Sequence, residues 1–409
     1  MKKKTYPIDL SALAYPMMQT RKTQSNFHFE AELCEEVDPR VLTASLTDIL
    51  TRYPIFKTKI VSGFLWHVFR EHDAPMIVKE DDRPPLLPLR DEDTNGYPFR
   101  LAYSGKKIVL EIFHAVTDAD VGALFLSDLL TRYAEIKEGA TQSEVPDRGL
   151  VIEDAFLRYG KKKKLSEISL KSYNNNNKVC ALGDLGSYRP YPELLSLELP
   201  LDRLKAVAKE NGATITEYVT AAYISAILNG QPLPPNKALC IFIPINLRRF
   251  FPSDTMQNFV CFERAYLPKG DTDLSFSHIL SVVHEEFTTK ITQESMQAHV
   301  DDVRRALTLP LLKYTPLFIK HPTFKFVKTV FNKVRQTAIL SNIGTMTLPA
   351  RAEKQVRNMK FFLNIGKNAP INLAISTYNG ICSINITNDI EGRELPDRFF
   401  AFLEDQCKK

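Results

Sequence analysis

The sequence predicts an α+β protein made of two layered domains with mixed sheets. Strand-like apolar runs and helical spacings follow one another irregularly, not in the strict alternation that builds a doubly wound parallel sheet. Hairpin signals occur in both halves, at Ser62-Gly63 and at Tyr378-Asn379-Gly380. The chain has 409 residues, long for one core and suited to two domains of ordinary size. The order of strands and flanking helices repeats loosely in the two halves, without sequence periodicity.

Taken in order, residues 26–33 alternate as a strand, and Asp38-Pro39 then opens a helix with a capping side chain followed by proline at the first helical position. Leu42, Leu46, Ile49, Leu50 and Tyr53 make its predicted buried face, and Pro54 ends it. Residues 55–60 and 64–69 read as a pair of short strands. Trp66, the only tryptophan, falls on the second in a packing role. A polar, proline-rich passage over 81–98 leads into the stretch that organises the chain, residues 106–133. Its first part is apolar apart from Lys107 and Glu111, the pattern of a strand buried on both faces. From Val121 onward Leu124, Phe125 and Leu129 fall at helical spacing with Asp120 placed to cap, so His114 to Asp118 form the crossing from strand to helix.

Composition shifts over 139–192, which holds the lysines Lys161 to Lys164, the asparagines Asn174 to Asn177 and several Gly and Pro, the signature of a linker or surface crossover. The expected division is therefore 1–138, a linker over 139–192, and 193–409. In the last part, 201–211 reads as a helix closed by Gly212, and Thr214-x-x-Glu217 as the capping box of the next. Strands follow at 238–245 and 258–267, a long amphipathic helix at 275–293, strands at 337–341, 360–363, 371–377 and 381–386, and a closing helix at 393–407.

The composition, 44% hydrophobic and 25% charged, is that of a soluble globular protein. A net charge of +5 is too mild to imply a nucleic acid partner. Cys34, Cys180, Cys240, Cys261, Cys382 and Cys407 lack CxxC spacing, so reduced thiols in a cytoplasmic protein are expected, with neither disulfide nor zinc site. His278 and His284 lack the HExxH spacing of a metal pair and read as surface or packing histidines. Pro7, Asp9 and Pro16 interrupt the apolar run after the first lysines, which argues against a secretory leader. No stretch approaches the ~18 apolar residues of a membrane span.

Chemistry concentrates at His114. It is the histidine that the sequence places on a strand-to-helix loop, and an imidazole that titrates near neutrality suits removal of a proton from a weakly acidic hydroxyl. The motif His114-x-x-x-Asp118 occurs once, between the buried strand and a small-residue helix start at Val121-Gly122-Ala123. At this point the sequence resembles the CoA-dependent acyltransferase superfamily, which includes chloramphenicol acetyltransferase, the dihydrolipoamide acyltransferases, peptide-synthetase condensation domains and the alcohol acetyltransferases. The alcohol acetyltransferase branch is the most similar. Three further segments carry the resemblance: Ile243-Pro244-Ile245-Asn246-Leu247-Arg248-Arg249, Thr255-Met256-Gln257-Asn258-Phe259, and Ser341-Asn342-Ile343-Gly344. Departures are Ala119 where the common pattern has glycine after the aspartate, Phe113 where condensation domains carry a second histidine, and the missing DFGWG segment of plant acyltransferases.

The resemblance implies two chloramphenicol acetyltransferase-like half-domains in one chain, expected as a monomer, with an active-site tunnel between them. It implies acyl transfer from acyl-CoA, a cosubstrate and not a permanently bound cofactor, to the hydroxyl of a small or lipophilic alcohol. His114 would be the general base. Asp118 would pair with Arg248, Arg249 being the substitute, or else serve as a plain helix cap. Ser341, or a backbone N–H nearby, is the candidate oxyanion donor, with a plain strand-end serine as the alternative, and Asn258, Asn342 and Gly344 are candidates for the tunnel wall. An acyl carrier protein as donor, or a catalytically silent binding protein on the same fold, are the alternatives.

Overall fold

The computed structural model describes residues 3–18, 25–161, 178–182, 186–230, 236–323, 336–366 and 369–408. Most of the lysine run and all of the asparagine run fall outside the described residues. In chain order the strands of the first half are β1 Thr5–Pro7, β2 Asn26–Leu33, β3 Thr58–Ser62, β4 His67–Glu71, β5 Val78–Glu80, β6 Phe99–Ser104 and β7 Lys107–Phe113. Those of the second are β8 Tyr188–Pro200, β9 Leu239–Asn246, β10 Val260–Leu267, β11 Ala338–Thr345, β12 Val356–Phe362, β13 Ile371–Tyr378 and β14 Ile381–Ile390. They form a small sheet β1-β4-β3, a five-stranded sheet β12-β2-β7-β6-β5 and a six-stranded sheet β10-β9-β11-β13-β14-β8. Both larger sheets are mixed: β5 runs parallel to β6, and β11 parallel to both neighbours, while the remaining pairs in these two sheets are antiparallel. The α+β class expected from the sequence is the one observed.

The motif strand β7 is buried from Ile108 to Phe113, and the helix Ala119–Lys137 that follows packs back on the sheet. Gly122 permits the close approach, since a Cβ there would stand 2.9 Å from Phe27, 3.0 Å from Phe29 and 3.2 Å from Ile112. Fully burying an aromatic side chain such as Phe27 or Phe29 stabilises by about 1.5–3 kcal/mol, which ties this helix to β2 and β7. On the opposite face Glu111 accepts hydrogen bonds from Arg83 Nη2 at 2.7 Å and from the Leu86 N–H at 2.6 Å, and lies 3.3 Å from His28 Nδ1. Glu111 is thus a buried carboxylate with buried cations around it.

Several elements fall where the sequence put them. Asn26–Leu33 is a strand, Asp38 caps Pro39–Ile49 through the Arg40 and Val41 N–H groups, and Thr214 with Glu217 makes a reciprocal capping box on Ile215–Leu228. The hairpin between β13 and β14 turns on Asn379 (φ 46°) and Gly380 (φ 74°), the left-handed pair that a two-residue turn demands. Other elements differ. The first hairpin is shifted, with Ser62 opposite His67, so Trp66 lies in its turn, where Lys320 Nζ sits 3.2 Å over the indole. The helix expected over 275–293 is Phe276–Lys290, and a further helix that the sequence did not signal, Gln293–Thr308 capped by Thr292, follows it. β8 begins inside the stretch read as linker; its prolines suit an edge strand, which it is. β12 leaves the C-terminal part of the chain and joins the first sheet, with Phe362 opposite His28.

Candidate active site

Between the two larger sheets lies a cavity of about 810 Å³. Tyr15, Phe27, His114 and Phe361 line it from the side of the first sheet, and Ile243, Val260, Phe262, Phe287 and Ser341 from the side of the second. Most of its surface is hydrocarbon, but polar side chains also reach it, among them the imidazole, Asp120, Thr216, Arg249, Ser341 and Asn342.

His114 enters this cavity because β7 ends at Phe113 and the next residues turn before the helix begins. Its ring stacks on Tyr15 at 5.0 Å and takes the edge of Phe27 at 5.2 Å. Nδ1 lies 2.8 Å from Asn258 Oδ1. The amide orientation follows from its other neighbours: Asn258 Nδ2 donates to Asp9 Oδ2 at 3.0 Å, and the Asn258 N–H donates to the same oxygen at 3.2 Å. An amide that gives its NH₂ to a carboxylate turns its oxygen to the ring, so the imidazole proton belongs on Nδ1. Burial pushes the His114 pKa below its ordinary value, against the opposing pull of backbone carbonyls, Asp118 and Asn258. The ring is therefore neutral at pH 7.

Asp118 makes both of the contacts weighed for it. Its Oδ1 accepts from the Val121 N–H at 3.3 Å and caps the helix, which begins at Ala119. Asp120, expected as the cap, sits instead in the first turn, where burial and Asp118 raise its carboxyl to about 6. Oδ2 of Asp118 accepts from Arg248 Nη1 at 2.7 Å and from the Phe259 N–H at 2.9 Å. Arg248 Nη2 also donates to the carbonyls of Thr255 and Gln257, so the guanidinium clasps the start of β10 to the motif loop. Arg249, the substitute partner, lines the cavity instead. Ala119 is absent from the positive-φ residues, which are Leu86, Asn95 and Asn379 apart from glycines, so the missing family glycine leaves no strained backbone.

The remaining candidates are spread more widely. Ser341 lies on β11, buried, and faces the cavity. Asn342 also lines it and donates to Thr216 Oγ1 at 3.0 Å, while Gly344 (φ 74°) lies off the wall and donates its N–H to Asn342 Oδ1. Asn258, expected on the tunnel wall, is fully buried behind His114. Sequence reading gave Tyr15 no role and took Asp9 only as an interruption of an apolar run. The one signal for Asp9 was an acidic residue standing between Ile8 and Leu10.

The sequence matches no family profile and no curated protein. Among solved structures, polyketide synthase associated protein 5 from Mycobacterium tuberculosis superposes with a TM-score of 0.63 at 14% identity, covering 97% of each chain. The TRI3 trichothecene 15-O-acetyltransferase from Fusarium sporotrichioides gives 0.66 at 9% identity over 99% of this chain and 95% of its own. The chain has the chloramphenicol acetyltransferase-like fold. An arginine-to-alanine variant of the starter condensation domain of rhizomide synthetase RzmA, in complex with C8-CoA, shares that fold at a TM-score of 0.63 and 12% identity, with 99% of this chain and 95% of its own covered. In the chloramphenicol acetyltransferase-like arrangement seen here, the cavity is walled by both larger sheets, and β12 crosses from one half of the chain to the sheet of the other. Among the described residues there is no cluster of His, Cys, Asp or Glu able to hold a metal ion, and no helix long and apolar enough to cross a membrane.

Proposed function

We propose that the protein is an acyltransferase that moves an acyl group from acyl-CoA to the hydroxyl of a small or lipophilic alcohol, with His114 as general base. The observation that carries this reading is a neutral, buried imidazole on the wall of a largely apolar cavity, its Nδ1 held by Asn258. With the proton on Nδ1, Nε2 is the atom that takes the hydroxyl proton. The alcohol oxygen attacks the thioester carbonyl carbon, and the tetrahedral oxyanion collapses with cleavage of the C–S bond. The departing thiolate recovers the proton from Nε2. Ser341 is the proposed donor to the oxyanion, which needs a hydrogen bond in place before charge develops. No covalent acyl-enzyme is required, because both substrates meet at one base.

The likeness in fold to a starter condensation domain bound to C8-CoA and to a trichothecene O-acetyltransferase supports the donor and the reaction class. The likeness to condensation domains also favours a second reading, a donor tethered to an acyl carrier protein. The deciding experiment measures thiol release from a panel of acyl-CoAs with and without a panel of alcohols. Alcohol-dependent release supports the first reading. Release seen only with carrier-bound acyl groups supports the second, and binding without release under any condition overturns both.

A further inference from the structure

The N-terminal segment supplies a carboxylate that the motif does not contain. Asp9 is fully buried, and among the described residues its carboxylate accepts four hydrogen bonds: from Ser11 Oγ at 2.6 Å and the Ala12 N–H at 3.0 Å to Oδ1, and from the Asn258 N–H and Nδ2 to Oδ2. The first pair is the ordinary business of a helix cap over Leu10–Ala12. The second pair serves no cap. It is directed at the asparagine whose oxygen meets His114 Nδ1 at 2.8 Å.

Nothing about a three-residue helical turn needs a carboxylate taken wholly out of water, where an isolated charge is costly. Burial and the neighbouring Asp154, which holds the Leu10 N–H at 2.8 Å, push Asp9 up to about 7. The segment is nonetheless anchored there: Gln257 Nε2 donates to the Pro7 carbonyl, and Thr117 Oγ1 to the Met256 carbonyl, so residues 7–12, 114–118 and 256–258 form one hydrogen-bonded knot. Replacing Asp9 by a neutral group frees the Asn258 amide to rotate, and a rotated amide turns NH₂ toward the imidazole and works against a proton on Nδ1, leaving only the nearby backbone carbonyls to favour it. A neutral amide between carboxylate and ring passes on orientation without setting a full charge beside the base.

We propose that Asp9 is a positioning residue of this site: through the Asn258 amide it holds the His114 proton on Nδ1 and so leaves Nε2 as the base. The proposal rests on the reading of His114 as the base, and its test separates the two. The protein is labelled with ¹⁵N-histidine, and the His114 resonances are identified by their loss in His114→Ala. Wild type is expected to carry its proton on Nδ1 with Nε2 bare. Asp9→Ala and Asn258→Ala are expected to show mixed or reversed tautomers and, where turnover is measurable, a kcat lower by about 10- to 100-fold with KM for the acyl donor nearly unchanged, as a displaced reacting group produces. A wild-type ring protonated on Nε2 overturns the proposal without any variant having to fold. Variants that melt earlier but keep both the wild-type tautomer and the wild-type kcat also overturn it, since Asp9 would then be structural alone. Absence of turnover with every donor overturns the reading of the reaction, and the tautomer measurement still decides the role of Asp9.

Discussion

Arg248 and Asp118 meet where the two larger sheets adjoin, with Nη1 2.7 Å from Oδ2 and the carboxylate almost wholly out of water. Removing one partner strands the other charge, at a cost of about 3–5 kcal/mol for a buried pair. Asp118→Asn and Arg248→Met should each lower the melting temperature and displace the His114 loop. The double variant should lose clearly less than the sum, because neither charge is left alone. Strict additivity in a double-mutant cycle would show that the pair contributes nothing beyond its separate contacts.

His114→Ala should fold and lose about 10² to 10⁴ in rate, the usual contribution of a general base. The acid limb of the wild-type rate should fall below the ordinary histidine value of about 6.5, since burial depresses this ring and keeps it in its basic form at lower pH. Thiol release followed from pH 5 to 8 reads both. Retention of near wild-type transfer in His114→Ala would remove the imidazole from the mechanism.

Two small residues at the start of the motif helix should respond differently. Gly122→Ala adds a Cβ that must displace Phe27 and Phe29; overpacking of about 1–3 kcal/mol outweighs the gain of up to about 1 kcal/mol in helix propensity, so stability falls. Ala119→Gly, at a position of ordinary negative φ, should lose no more than about 0.5–1 kcal/mol and leave turnover nearly unchanged. Thermal melts of the two variants check the order. A stabilised Gly122→Ala protein would mean that the helix stands off the sheet.

His28 adds a pH dependence that runs through neutrality to the alkaline side. Burial alone would lower it, but hydrogen bonds and charges from Glu111 and Glu30 raise it to about 9. A histidine raised in the folded state stabilises fully below its unfolded pKa of about 6.5 and ceases to do so as pH climbs through about 9. The melting-temperature difference between wild type and His28→Gln should thus be constant below about pH 6.5 and shrink toward pH 9. A difference that does not change between pH 6 and 9.5 would show that His28 carries no charge in the fold.

Much of this was legible because periodicity and capping are local. β7, the turn at His114 and the helix after it can be read from 28 consecutive residues, and the Asn379-Gly380 hairpin from two. The Asp9–Asn258 contact joins segments that share no pattern, and an acid inside an apolar run looks like an interruption until its partner is known. β8 was hidden by its prolines, which punctuate a linker and an edge strand alike. The cap was placed two residues late because Asp118 and Asp120 both suit a helix start, and only the Arg248 and Phe259 donors distinguish them. For β12 the apolar pattern marked a strand but carried no information about which sheet would take it.

That crossing of β12 governs the order in which the molecule can be completed during synthesis. Without Val356–Phe362, β2 is the outer strand of its sheet and presents a row of unpaired backbone groups, the edge on which chains aggregate. A nascent chain that has just delivered the His114 loop from the ribosome therefore carries an open edge, and it must keep that edge unoccupied while most of the remaining residues are translated. Pairing across so long a separation is slow, since the closure entropy is met before any contact rewards it. The His114 loop is thus made well before the strand that completes the sheet supporting it.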